Sequence, residues 1–337
     1  MATATFELAV VAPFRLDLTV WALRRRAHNA VDAWDGTTYR RVAELRGRPA
    51  LLEVHERRGL RPPVLVASVR RHRGTPGDAE VVAARRLLTR VLGLDADPGG
   101  LADLARRDRR LAGLAERFAG LRPPRFASVF EAVVNAVACQ QLSLDVGVHL
   151  LNRLARRFGP RVVSAAAPPG FPGPGRLAAV DPTELRALGF SRAKAATVVS
   201  LARRAASGEV DLEGLALLDD ETARSLLVSV PGLGRWSAEY VLLRGLGRHH
   251  VLPGDDVGAR NGLCRRFGLA PDAGYAEVAD LVDAWWPLAG LVYFHLLLDG
   301  LAAAGHVDAG ARTAPAHRPA DQGQRVDGGA EHGGVRS

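Results

Sequence analysis

A single lysine, Lys194, stands among 45 basic residues, and the chain holds only two cysteines, Cys139 and Cys264, each in an apolar, helix-like setting. Two distant thiols cannot build an iron–sulfur cluster or a cysteine zinc site, and they read as small buried residues of a reducing compartment. No group of His, Cys and carboxylate side chains has metal-ligand spacing, so no zinc is expected, and His249 and His250 read as a loop pair without chemistry. No apolar run is a convincing membrane span. The opening "MATATFELAVVAPF" lacks a basic leader segment and carries Glu7, so it reads as mature sequence, as a first strand and as part of a cytoplasmic protein. Aromatic residues make up only 6% of the chain, which points to cores of Leu, Val and Ala.

What is present in excess is arginine. The net charge of +9 favours a polyanionic partner such as nucleic acid over a membrane. A length of 337 residues suits two domains, or one large domain with an appendage.

The first seventy or so residues read as strands: "FELAVVAPF", "LDLTVWAL", "ALLEVHE" and "PVLVASV", with an Asp-Gly hairpin turn in "DAWDGTTYRRV". Leu and Ala then recur at helical spacing through "AEVVAARRLLTRVLGL" and "LADLARRDRRLAGLAERFAGL", up to a boundary at "RPPR". From there the chain reads as helical. Ser128 and Glu131 form a capping box at the start of "SVFEAVVNAVACQQLS", and further helices open on Asp or Ser. The expected division is a strand-rich sheet domain at 1–75, joining helices at 76–125, a helical core at 126–305 and a disordered tail at 306–337.

The informative stretch is "VPGLGRWSAEYVLLRGLGRHHVLPGDD", residues 230 to 256. Pro231 stops the helix "DETARSLLVSV", "PGLG" makes a tight turn, and "RWSAEYVLLRGL" starts a second helix. Unpaired N–H groups after such a turn suit a DNA phosphate. A bare αα-hairpin whose glycines only permit close packing is the competing explanation.

With the continuation Leu252, Pro253, Gly254, Asp255 and Asp256, the stretch resembles the helix–hairpin–helix DNA glycosylases, specifically the 3-methyladenine DNA glycosylase II family of AlkA type. "SVFEAVVNAVACQQLS" and "LRALGFSRAKAATVVSLA" are similar to further segments of that family, over residues 80 to 304. The resemblance implies a mostly α fold, a helix–hairpin–helix core of two helical lobes behind a small α+β sheet domain. It implies base excision repair of alkylated purines, with Asp256 as the catalytic acid and Asp255 as a helix N-cap. Trp236, Tyr240 and Trp286 would line the base pocket. Gly232, Leu233, Gly234 and Arg235 would contact DNA, and Gln141 with Leu142 would wedge into the stack. Main-chain carbonyls of Val228, Val230 and Leu233 would hold a monovalent cation, and no cofactor is required. Where the family reads Trp-x-Pro-Trp-Arg, this chain has Trp285, Trp286, Pro287, Leu288 and Ala289, which alters one wall of the pocket.

Lyase-active relatives of the endonuclease III type carry a lysine nucleophile where this chain has Trp236, and Lys194 reads as a phosphate contact or an exposed residue. The expectation is a monomeric, monofunctional hydrolase, nucleoid-associated, acting on double-stranded DNA that contains damaged bases. Its rivals are a non-catalytic DNA-binding protein that keeps the hairpin, and a glycosylase for deaminated or oxidised bases.

Overall fold

The computed structural model describes residues 2–57, 63–72, 74–164 and 166–308. The tail expected from 306 onward therefore lies outside the described residues save for its start, where Val307 is buried and His306 stacks on Trp21 at 5.6 Å.

Strands β1 (Thr3–Ala9), β2 (Ala33–Trp34), β3 (Thr38–Leu45), β4 (Arg48–Arg57) and β5 (Val64–Arg70) form one antiparallel sheet in the order β1-β5-β4-β3-β2. The Asp-Gly turn joins β2 to β3, and Asp35 Oδ1 gathers the N–H groups of Thr37 and Thr38 at 2.9 and 2.8 Å.

"LDLTVWAL" is not a strand: it lies in helix α1 (Leu16–Arg24). Its alternation matches a period of two, but its side chains serve two cores. Leu16, Val20 and Leu23 pack under the sheet, whereas Leu18 and Ala22, four apart, face a helical core. A helix buried on two sides loses the single polar stripe by which sequence marks a helix.

Helices α2 (Asp78–Val91), α3 (Gly100–Arg107) and α4 (Ala112–Arg117) follow the sheet. Then come α5 (Val129–Cys139), α6 (Leu144–Phe158), α7 (Pro174–Ala178), α8 (Pro182–Ala187), α9 (Arg192–Ala206) and α10 (Asp220–Val228). The series ends with α11 (Arg235–Val241), α12 (Val257–Phe267), α13 (Tyr275–Asp283) and α14 (Ala289–Ala303). Among the described residues, no helix is long and apolar enough to cross a membrane. One helical lobe is cored by α5, α6, α9, α10 and α11, and the other by α3, α4, α12, α14 and one side of α1.

Ser128 caps α5 by accepting the Glu131 N–H at 3.0 Å, but the capping box is only half formed. The Glu131 carboxylate turns away to Arg41 of β3, which also donates to Asp32 at 2.7 Å, and all three are buried. Removing one member would strand a buried charge, so this triad fixes how the sheet sits on the helical core.

Candidate active site

An open cleft of about 1450 Å³ lies between the two helical lobes. The hairpin brings α10 and α11 together across Pro231–Gly234. Gly232 has φ +91°, and a Cβ there would stand 2.5 Å from Thr197 Oγ1, whose hydroxyl donates to the Pro231 carbonyl at 3.0 Å. The turn thus needs a residue that tolerates positive φ and has no side chain. Leu233 buries its side chain in the core and leaves only its main chain near the cleft.

Asp256 lines this cleft, and it is itself the N-cap of α12: its Oδ1 accepts the Ala259 N–H at 2.9 Å. The expectation that Asp255 would be the cap is therefore corrected. Asp255 instead binds Arg235, at 2.9 Å from Nε and 2.8 Å from Nη2, and Arg235 lies 3.7 Å over the Tyr275 ring. A cap needs extended backbone at the residue before the first helical turn, and Asp256, with φ −72° and ψ 115°, occupies that place.

The second oxygen of Asp256 accepts from Trp236 Nε1 at 3.2 Å. Trp236 stacks on Tyr240 with ring centroids 5.3 Å apart, as residues one helical turn apart can. Acid, indole and phenol thus share one wall of the cleft. Trp286, the third residue expected in the pocket, is not there. Of two adjacent tryptophans only one can turn inward, and Trp285 does so, fully buried with its indole N–H on Asp108 at 2.9 Å. Trp286 is 65% exposed and faces a smaller recess of about 190 Å³ behind the acid loop.

On the opposite lip, the chain between α5 and α6 projects into the cleft. Gln141 has φ 52°, a left-handed conformation uncommon outside glycine, and both it and Leu142 are exposed. Gln140, which sequence reasoning passed over, ties this lip to the hairpin by donating to Gly232 O at 2.9 Å and Ser237 Oγ at 2.7 Å. Lys194 is half-buried on the cleft wall, and its ammonium donates to the carbonyls of Ala138 and Gln140 at 3.2 and 2.6 Å, at the end of α5; burial lowers its pKa.

Three more groups escaped sequence reasoning. Glu239 is buried and clamps the acid loop, accepting from Gly254 N at 3.2 Å and Tyr275 Oη at 2.6 Å; burial pushes its carboxyl upward. Arg25 and Arg244 lie buried beneath Tyr240, a position no local sequence signal marks for arginine. Of the histidine pair, His250 lies against Asp220, and burial lowers His249 to about 4.

The sequence model described as the HhH-GPD superfamily base excision DNA repair protein matches residues 134–288, and that of the AlkA N-terminal domain matches residues 5–128. The chain is 33% identical over 178 residues to DNA-3-methyladenine glycosylase 2 of Escherichia coli (strain K12), covering 52% of this chain and 60% of that one. It is 30% identical over 163 residues to DNA-3-methyladenine glycosylase 1 of Schizosaccharomyces pombe (strain 972 / ATCC 24843), covering 48% and 68%. These matches span about two thirds or less of each relative's length. The solved structure of a 3-methyladenine DNA-glycosylase from Archaeoglobus fulgidus superposes with a TM-score of 0.76 at 27% identity, over 87% of this chain and 97% of that one.

Proposed function

Because the chain belongs to the HhH-GPD superfamily of base excision DNA repair proteins, we propose that it is a monofunctional DNA glycosylase that hydrolyses the N-glycosidic bond of alkylated purines such as 3-methyladenine and 7-methylguanine. The observation that carries this reading is the position of Asp256, a carboxylate held in the cleft by Ala259 and Trp236 beside the Trp236–Tyr240 stack. The names of the relatives support the same class.

The chemistry follows from these parts. The target nucleotide leaves the duplex, at a cost of roughly a few kcal/mol, while Gln141 and Leu142 fill the gap. The hairpin main chain at Gly232, Leu233 and Gly234 grips a phosphate, with Arg235 nearby. As the C1′–N bond breaks, its electron pair leaves with the base and the sugar becomes cationic. Asp256 stabilises that charge and orients the water that adds its oxygen to C1′. An alkylated purine is already cationic, so it departs neutral and the water's second proton passes to solvent.

Trp236 in the place of the lyase lysine, and Lys194 engaged with two carbonyls, support hydrolysis without strand cleavage. The carbonyls of Val228, Val230 and Leu233 are the oxygens we assign to a monovalent cation. The Val230 oxygen accepts the Leu233 N–H at 3.0 Å and keeps a second lone pair for it. We take the active species to be a monomer on double-stranded DNA.

The test is release of free 3-methyladenine or 7-methylguanine from methylated DNA, repeated with Asp256→Asn. Release by the wild type that the variant loses is the expected result. Equal release by both removes the assignment, and DNA binding without release by either points to a non-catalytic DNA-binding protein.

A further inference from the structure

We propose that Lys194 is a positioning residue, which holds the lip between α5 and α6 in a type II turn and so aims Gln141 and Leu142 at the gap a flipped nucleotide leaves. The proposal rests on the glycosylase reading and names a residue on which its flipping step depends.

The lip is a turn from Cys139 to Leu142, closed by the Leu142 N–H on the Cys139 carbonyl at 3.3 Å. Gln140 has φ −52° and ψ 131°, and Gln141 has φ 52°. These angles belong to type II, which favours glycine or asparagine in the place of Gln141 because φ there is positive. Glutamine gains nothing from that conformation. A type I turn spans the same residues with φ negative throughout, and it differs in the central peptide, which is turned over so that its carbonyl points to the other side. Left to itself, a glutamine in this place favours type I.

The central carbonyl is that of Gln140, and it is the one Lys194 Nζ holds at 2.6 Å, with the Ala138 carbonyl at 3.2 Å. Turning the peptide over would break the shorter bond, so the ammonium selects the strained form. The lysine stands on a fixed base. Ser191 caps α9 by accepting the Lys194 N–H at 3.3 Å, which sets the backbone from which the side chain reaches. A cation also suits the spot, since α5 ends here and its last carbonyls carry partial negative charge.

The same helix holds the hairpin. Thr197, three residues after Lys194 and hence on the same face of α9, donates to the Pro231 carbonyl at 3.0 Å, while Gln140 Nε2 joins lip to hairpin through Gly232 O at 2.9 Å and Ser237 Oγ at 2.7 Å. Lip and hairpin therefore form one rigid surface. A strained backbone persists where its surroundings over-determine it, and these bonds do so at Gln141. DNA gripped at the hairpin meets a wedge already set, and the ordering of the lip is not left to the moment of flipping.

The experiment uses the full chain and single-turnover release of 7-methylguanine, either paired with cytosine or placed in a single-nucleotide bulge, where flipping leaves no gap to fill. Release from the paired site is expected to slow at least about tenfold in Lys194→Met, the scale of ordering one backbone residue, while release from the bulge holds within about threefold. Lys194→Arg keeps a cationic donor and should stay within about threefold of wild type on both. Glycine adopts positive φ freely, so Lys194→Met made in a Gln141→Gly background should slow the paired site by less than about threefold. An equal fall on both substrates by folded Lys194→Met, no fall on the paired one, or an undiminished fall in the Gln141→Gly background overturns the proposal. If Lys194→Met is too unstable to assay, its thermal unfolding is compared with that of the double variant with Gln141→Gly; recovery supports the coupling, and no recovery overturns it. If wild type releases no base, the glycosylase reading falls, and lip insertion is read from 2-aminopurine placed opposite a stable abasic analogue. A fluorescence rise given by wild type and lost in Lys194→Met supports the proposal, and the same signal from both overturns it.

Discussion

The indole N–H of Trp236 donates to the Asp256 carboxylate at 3.2 Å, so the residue that stacks on Tyr240 also orients the acid. Trp236→Phe keeps a ring on the stack and deletes the donor. A hydrogen bond to a charged group is worth about 1.5–3 kcal/mol, so base release in single turnover should slow by roughly tenfold to a hundredfold. Affinity for abasic product DNA should change much less. An unaltered rate would show that Ala259 alone positions Asp256.

Glu239 sets the acid loop from behind. Its two oxygens hold Gly254 N and Tyr275 Oη, and a Cβ on Gly254 would come 2.7 Å from the Tyr275 ring, so loop and ring fit only with glycine there. Glu239→Gln keeps one acceptor and should cost about 1–3 kcal/mol in chemical denaturation, the scale of one unmet buried group. It should also lower the turnover rate more than it weakens DNA binding. Gly254→Ala should lower both stability and rate. A variant with full activity and normal stability would contradict the clamp.

Gly232→Ala tests the hairpin. Its φ of +91° and the 2.5 Å approach to Thr197 Oγ1 make any Cβ disruptive, with a strain of order 1–3 kcal/mol. Fluorescence anisotropy with an undamaged duplex should show weaker binding, because a hairpin main chain grips phosphate, which undamaged DNA carries as well. Binding at wild-type strength would remove the hairpin from the DNA interface.

The hairpin turn was legible in sequence because glycine and proline act locally, each constraining its own backbone wherever the chain goes, whereas Asp256 was named by the resemblance to the family. The same locality hid the rest. Period-two alternation in "LDLTVWAL" could not reveal that sheet and helices would sandwich α1. Trp285 and Trp286 were indistinguishable until packing chose Trp285 for the core. The helix cap fell on Asp256 and not on Asp255 by one step of backbone, with Arg235 taking the spare carboxylate. Arg25 and Arg244 were invisible because arginine is seldom buried without a carboxylate, and only the fold places both beneath Tyr240.

Stability should fall on the acid side of neutrality through His295. This side chain is buried in α14 against Phe118, and its Nδ1 lies 2.7 Å from the Leu291 carbonyl oxygen. Burial lowers its pKa to about 4 from an ordinary value of 6.5. The unfolded chain therefore binds a proton that the folded chain refuses, and stability rises with pH wherever the unfolded state holds more protons. The contribution is complete above about 6.5, shrinks as pH falls, and is gone below about 4. Its size is of order a few kcal/mol. Urea denaturation of wild type and His295→Gln between these limits should show a steeper loss in the wild type, since glutamine takes up no proton. Because His249 is lowered in the same range, the variant should keep part of the slope. Parallel curves for the two proteins would mean that His295 titrates normally in the folded state, and that protonation does not disturb the α14 core.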